Sequence, residues 1–184
     1  MRRLLTVWKA LAAEDVWQIY SSIGLMYDRG AEGVARQPSE ALFWYRKAVN
    51  AGDDPIAHVG LGRAYYEGKG VEKDVTAAYA HFENAYSAGL PESGIYLGTM
   101  YQSGLGVKMD LAKAEECFKF SADAGYFYAY FKLARIAFDR RRYLRALKLC
   151  VKGWALGVRV AKADPDDLRL LGADMSRRHD KFRA

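Results

Sequence analysis

Residues 61–89, LGRAYYEGKGVEKDVTAAYAHFENAYSAG, decide the fold, because versions of this stretch stand on both sides of it. Gly62, Tyr65, Gly68, Gly70, Val71, Asp74 and Gly89 return 36 residues later as Gly98, Tyr101, Gly104, Gly106, Val107, Asp110 and Gly125. An earlier copy reads Ile23, Gly24, Tyr27, Gly30, Gly33, Val34, Ala48 and Gly52, with one extra residue in its loop. A later copy is worn: Leu133, Ala134 and Ala137 keep the register, the glycine loop is gone, and Gly157 follows Gly125 by 32 residues. Self-similarity at such a period is the mark of a solenoid, in which each helical hairpin buries its apolar side only against its neighbours.

The physics of one copy supports this reading. Ile56, Val59, Gly60, Ala64 and Tyr65 give a first helix an apolar side, and Ala77, Ala78, Ala80, His81, Ala85 and Tyr86 do the same for a second. Gly62 and Gly98, inside helices, each cost about 1 kcal/mol relative to alanine, so their recurrence predicts close helix approach. Gly68 and Gly70 let the chain reverse between the helices. Asp74 and Asp110 stand where an N-cap is needed, and Pro38 suits a first helical turn. Gly52, Gly89, Gly125 and Gly157 are expected to close the second helices in left-handed conformation.

The pattern LG, two residues, Y, two residues, GxGV, two residues, D, then an alanine-rich aromatic helix ending in AG, resembles the Sel-1-like repeat, a relative of the tetratricopeptide repeat. The resemblance covers about residues 16–157. It implies an all-α, right-handed α-solenoid of helix-turn-helix repeats whose concave face holds protein partners, commonly as an adaptor, and it brings no catalytic activity. The expected organisation is one domain over residues 1–184. A helix at 3–12 leads in, with Leu4, Leu5, Trp8 and Leu11 on one side. Repeats follow at 14–52, 55–89 and 91–125, with a first helix of copy one from Glu14 to Arg29, then a degenerate repeat at 126–157 turning at Asp139 to Arg141. A capping helix at 164–178 presents Leu168, Leu171 and Met175.

Composition agrees with a globular chain: 51% hydrophobic and 27% charged residues. The net charge of +6 is unevenly placed. From Lys132 to Lys162 ten basic residues face a single acid, Asp139, whereas residues 1–131 are net acidic. Two cysteines, Cys117 and Cys150, fall one residue out of register between copies, and hairpin-stapling cysteine pairs known in some secreted members are missing, so a reducing compartment is expected. The N-terminal MRRLLTVWKALAA has its apolar run broken by Lys9, too early for a secretory signal. No stretch approaches the roughly 20 apolar residues of a membrane span. Together with the repeat type, these features lead to the expectation of a bacterial cytoplasmic adaptor or scaffold.

Candidate sites follow from transferring tetratricopeptide geometry to the LG anchors. Groove-facing positions are then Gln18, Ser21, Leu25 and Asp28; Ile56, Val59, Arg63 and Tyr66; Glu92, Ile95, Thr99 and Gln102; and Tyr128, Phe131, Arg135 and Phe138. The last set combines exposed aromatics with an arginine, a hot-spot composition. Its bland alternative is that Phe131 and Phe138 lie under the C-terminal helix. Arg141, Arg145, Lys148 and Lys152 recur at helical spacing as a basic face, which reads either as a solvated surface or as a binder of nucleic acid or another anionic surface, the rival to a groove that holds another protein. The loop Gly68, Lys69, Gly70 lacks the strand and the GK[ST] ending of a phosphate cradle. His58, His81 and His179 look scattered, with no metal spacing or nucleophile arrangement, and no cofactor is expected. An open terminal repeat is compatible with a monomer or an end-to-end dimer.

Overall fold

A computed structural model describes residues 2–13, 19–30 and 33–163, with side chains described at 6–12, 19–30 and 33–162. Among them the chain is all-α, made of helical hairpins and without strands. Contacts divide it into two compact units, residues 1–93 and 94–184. The first contains α1 (Arg2–Ala13), α2 (Tyr20–Arg29), α3 (Pro38–Gly52), α4 (Pro55–Glu67) and α5 (Val75–Ser87); α6 (Pro91–Ser103) crosses the boundary, and the second unit continues through α7 (Leu111–Asp123), α8 (Phe127–Asp139) and α9 (Tyr143–Ala163).

The start signals work as their chemistry requires. The Asp74 carboxylate accepts from the amides of Thr76 and Ala77, and Asp110 accepts from Ala112 and Lys113, so two free amides of each helix start are satisfied. Pro38 occupies the first turn of α3. The glycine loops fold alike: the Asp74 amide donates to the Tyr65 carbonyl at 3.0 Å, and 36 residues on the Asp110 amide donates to Tyr101 at 2.9 Å. Gly68, Gly70, Gly104 and Gly106 all take the left-handed conformation that this reversal demands.

Each anchor glycine admits a ring. A β-carbon on Gly24 would lie 2.6 Å from the Tyr45 ring, one on Gly62 2.6 Å from Phe82, and one on Gly98 2.6 Å from Phe118. Tyr45, Phe82 and Phe118 are fully or almost fully buried, and each such side chain contributes about 1.5–3 kcal/mol by leaving water. In the first unit Tyr45 joins a core with Tyr20, Ile23, Leu42, Trp44 and Leu61; Trp8 of α1 packs on it. In the second, Phe118 clusters with Ile95, Ala114, Ala129, Leu133 and Ile136.

Two expectations change. Gly89 and Gly125 are left-handed (φ 82° and 92°), but Gly52 is still helical and Asp53 takes the left-handed position after α3, at φ 51°; Asp tolerates that region better than most residues. Gly157 lies inside α9, which runs on to Ala163, and there it admits the Phe127 ring, 3.1 Å from where its β-carbon would stand. Helix α2 is described only from Tyr20, so the part of the first helix expected at residues 14–18 lies outside the described residues, as does the capping helix expected at 164–178.

Candidate functional site

The fourth hairpin inverts the packing rule of the others. Ala134 stands where Gly98 and Gly62 stand, and the shorter turn places Cys150 where Phe118 and Phe82 stand. Close approach is transferred to α9, whose Gly153 would set a β-carbon 2.9 Å from Tyr130 and whose Gly157 meets Phe127. Among the described residues no ring therefore fills the space between Ala134 and Cys150, and a cleft of about 570 Å3 opens there. Phe131, Ala134, Arg135 and Phe138 of α8 form one wall; Tyr143, Ala146, Leu147 and Cys150 of α9 form the other. This size lies within the range of ligand-binding clefts, and the lining is mainly apolar.

Phe138 is 60% exposed and meets the Tyr143 ring edge-on at 5.3 Å; Phe131, half-buried, meets Phe127 edge-on at 6.1 Å. Arg135 is exposed. Phe131, Arg135 and Phe138 are thus the expected groove residues that the fold brings together, while the α9 wall was not anticipated. The signal for it was present in the sequence as the loss of the aromatic at position 150.

Other expected groove residues are differently placed. Arg63 is held by Asp28 at 3.0 Å, with Arg36 at 3.7 Å from the same carboxylate. Tyr66 leans its ring on Phe82 at 6.5 Å. The Thr99 hydroxyl donates to the Ile95 carbonyl of its own helix, Lys132 lies over the Tyr128 ring, and Gln102 is half-buried. Ser21, Val59 and Ile95 are buried and so belong to the packing rather than to an open face. Leu25, Asp28 and Glu92 are half-buried, Ile56 is exposed, and Gln18 lies outside the described residues.

The basic face is less uniform than its spacing suggests. Arg141 precedes α9, in the turn, with φ 58°. Arg145 and Arg140 both bind Glu115 of α7, at 2.5 and 2.7 Å. Lys152 lies over the Tyr130 ring, and Arg141 and Lys148 are exposed.

The histidines, read as scattered, include a connected pair in the first unit. The His58 Nε2 is 2.7 Å from the Asp53 carboxylate and its Nδ1 is 2.9 Å from Nδ1 of His81. With Asp53 accepting from Nε2–H, neutral His58 must accept at Nδ1 from His81. Tyr65 stacks on His81 at 10° and accepts from Arg46, so α3, α4 and α5 meet at one network. Burial first, then the neighbouring His58 and Arg46, hold the His81 pKa below its usual value. Nearby, burial of Tyr45 pushes its hydroxyl far up, so it stays protonated. No group of three or more metal-ligating side chains gathers among the described residues, and no described helix is long and apolar enough to cross a membrane.

Comparison with known proteins places these features. The model of the Sel1 repeat matches residues 21–53, 55–90 and 92–126, more than half of the chain. The crystal structure of a Sel1 repeat protein from Oxalobacter formigenes is similar at TM-score 0.70 and 30% identity, over 77% of this chain and 58% of that one. A Pseudomonas aeruginosa structure covering 85% of this chain and 58% of its own shares the fold, at TM-score 0.57 and 19% identity. An uncharacterized protein of Neisseria meningitidis is 36% identical over 96 residues, which are 52% of this chain and 20% of that protein. The chain thus spans about one fifth of the Neisseria protein and under two thirds of the Oxalobacter chain. The cleft-bearing hairpin follows the last matched repeat.

Proposed function

Since the chain belongs to the Sel1 repeat family, whose members generally mediate protein–protein interaction, we propose that it is a non-enzymatic adaptor or scaffold that holds a segment of a protein partner. The observation that carries this reading is the cleft between α8 and α9. There Phe131, Phe138 and Tyr143 offer apolar area around Arg135, and aromatics beside an arginine are the side chains that dominate binding energy when a partner excludes water from them. The fitting partner segment carries one or two large apolar residues for the cleft and a carboxylate for Arg135. Tyr66, Thr99, Gln102 and Tyr128, half-exposed on their own first helices, are available for further contacts, whereas Arg63 acts mainly through its ion pair with Asp28. Work in the bacterial cytoplasm is part of the same proposal.

The test is selection of peptides from a displayed library on the full chain, followed by affinity measurement. Truncation of Phe138 and Arg135 to alanine is expected to weaken the selected peptides by about 100-fold, as two hot-spot losses of about 2 kcal/mol or less would do, with little dependence on salt. The exposed Arg141 and Lys148 favour a second reading, an anionic partner on the basic face. Under that reading binding collapses with ionic strength and with alanine at Arg141, Arg145, Lys148 and Lys152, while the Phe138 and Arg135 variant binds normally.

A further inference from the structure

Beside the cleft, α9 presents a second apolar surface. Leu144, Leu147, Val151 and Trp154 are 79%, 62%, 58% and 68% exposed, and the half-buried Val158 continues the row. Apart from Leu147, which also borders the cleft, the row lies off the side of α9 that meets α8 through Ala146 and Gly153. Its spacing of three, four, three and four residues is that of a seam along which one helix packs lengthwise on another. Residues 164–184 lie outside the described residues, and their sequence repeats the spacing with Leu168, Leu171, Met175, Arg178 and Phe182.

The two rows match when the chain reverses at Ala163, where α9 ends. Val158 then falls opposite Leu168, Trp154 opposite Leu171, and Val151 opposite Met175. The same reversal sets Asp167 beside Arg159 and Asp174 beside Lys152, so charge agrees with the apolar register. Asp164 and Pro165 repeat the pair Asp54 and Pro55 that begins α4, where the Asp54 carboxylate accepts from the Ile56 amide. We infer that residues 165–176 of this chain dock as an antiparallel helix on the C-terminal half of α9, covering Val151, Trp154 and Val158.

The docking stops there. Further along, Arg178 would come against Leu147, and Arg177, Lys181 and Arg183 would approach Arg142, Arg145 and Lys148, an unfavourable meeting of like charges. Leu144, Leu147 and the cleft thus stay open, and the docked segment leaves the partner surface free.

The experiment uses the full chain with Cys150→Ala, leaving only the buried Cys117. Val151→Cys is combined with either Met175→Cys or Arg177→Cys, and disulfide formation is followed at low protein concentration by peptide mass. A docked helix holds position 175 against 151 and turns 177 away, so the first pair is expected to close within one chain at least about tenfold faster, through its higher effective concentration. Adding Leu171→Asp is expected to reduce that rate to the level of the second pair. Equal rates for the two pairs, no linkage in either, or linkage only between two chains would each overturn the inference; the last outcome would mean that a second copy covers the seam.

Discussion

The Asp53, His58 and His81 network is the point at which a single proton matters to this molecule. His81 is partly buried beside another imidazole and near Arg46, and its pKa is lowered from 6.5. The unfolded chain takes up that proton as pH falls below about 6.5, while the folded chain resists it, so the unfolded state binds more protons and stability declines with falling pH. A chain with His81→Gln should show a shallower loss of stability below that pH, as measured by urea unfolding across a pH series; an unchanged slope would mean that His81 is not the responsible group. Asp74 and Asp110 were legible as caps because their partners are two and three residues away. The histidine pair was not, since its members are 23 residues apart and only the hairpin brings them together.

At the scale of the helix pair, the organising contact is a ring seated on a glycine. Gly98→Ala gains about 1 kcal/mol of helix propensity but drives a β-carbon to 2.6 Å from Phe118, and overpacking of this kind costs about 1–3 kcal/mol. Net destabilisation is therefore expected. Combined with Phe118→Leu, which removes the ring, the loss should be smaller than the two single losses added, by at least about 0.5 kcal/mol in a double-mutant cycle. Strict additivity in denaturant unfolding would contradict the seating of ring on glycine. The glycine half of this arrangement was readable from its recurrence, and so were the loops, whose left-handed glycines admit few substitutes. The fourth hairpin was only half readable. Its glycines moved to α9, so Gly157 passed for a helix terminator until the Phe127 ring explained it.

For the whole molecule, the repeat period announced the all-α class and the excess of basic residues announced where the chain differs from its own copies. What the period could not announce is a surface created by a missing ring, because absence of Phe at position 150 acquires meaning only when Ala134 lies across from it. The central claim is that this vacancy receives a partner's side chain. Cys150→Phe in the full chain restores the residue type of the earlier hairpins and fills the cleft from its α9 wall. Affinity for a peptide selected on the wild-type chain should then fall at least about tenfold, about 1.4 kcal/mol, with the helical circular dichroism unchanged. An unaltered affinity in a folded Cys150→Phe chain would contradict the claim.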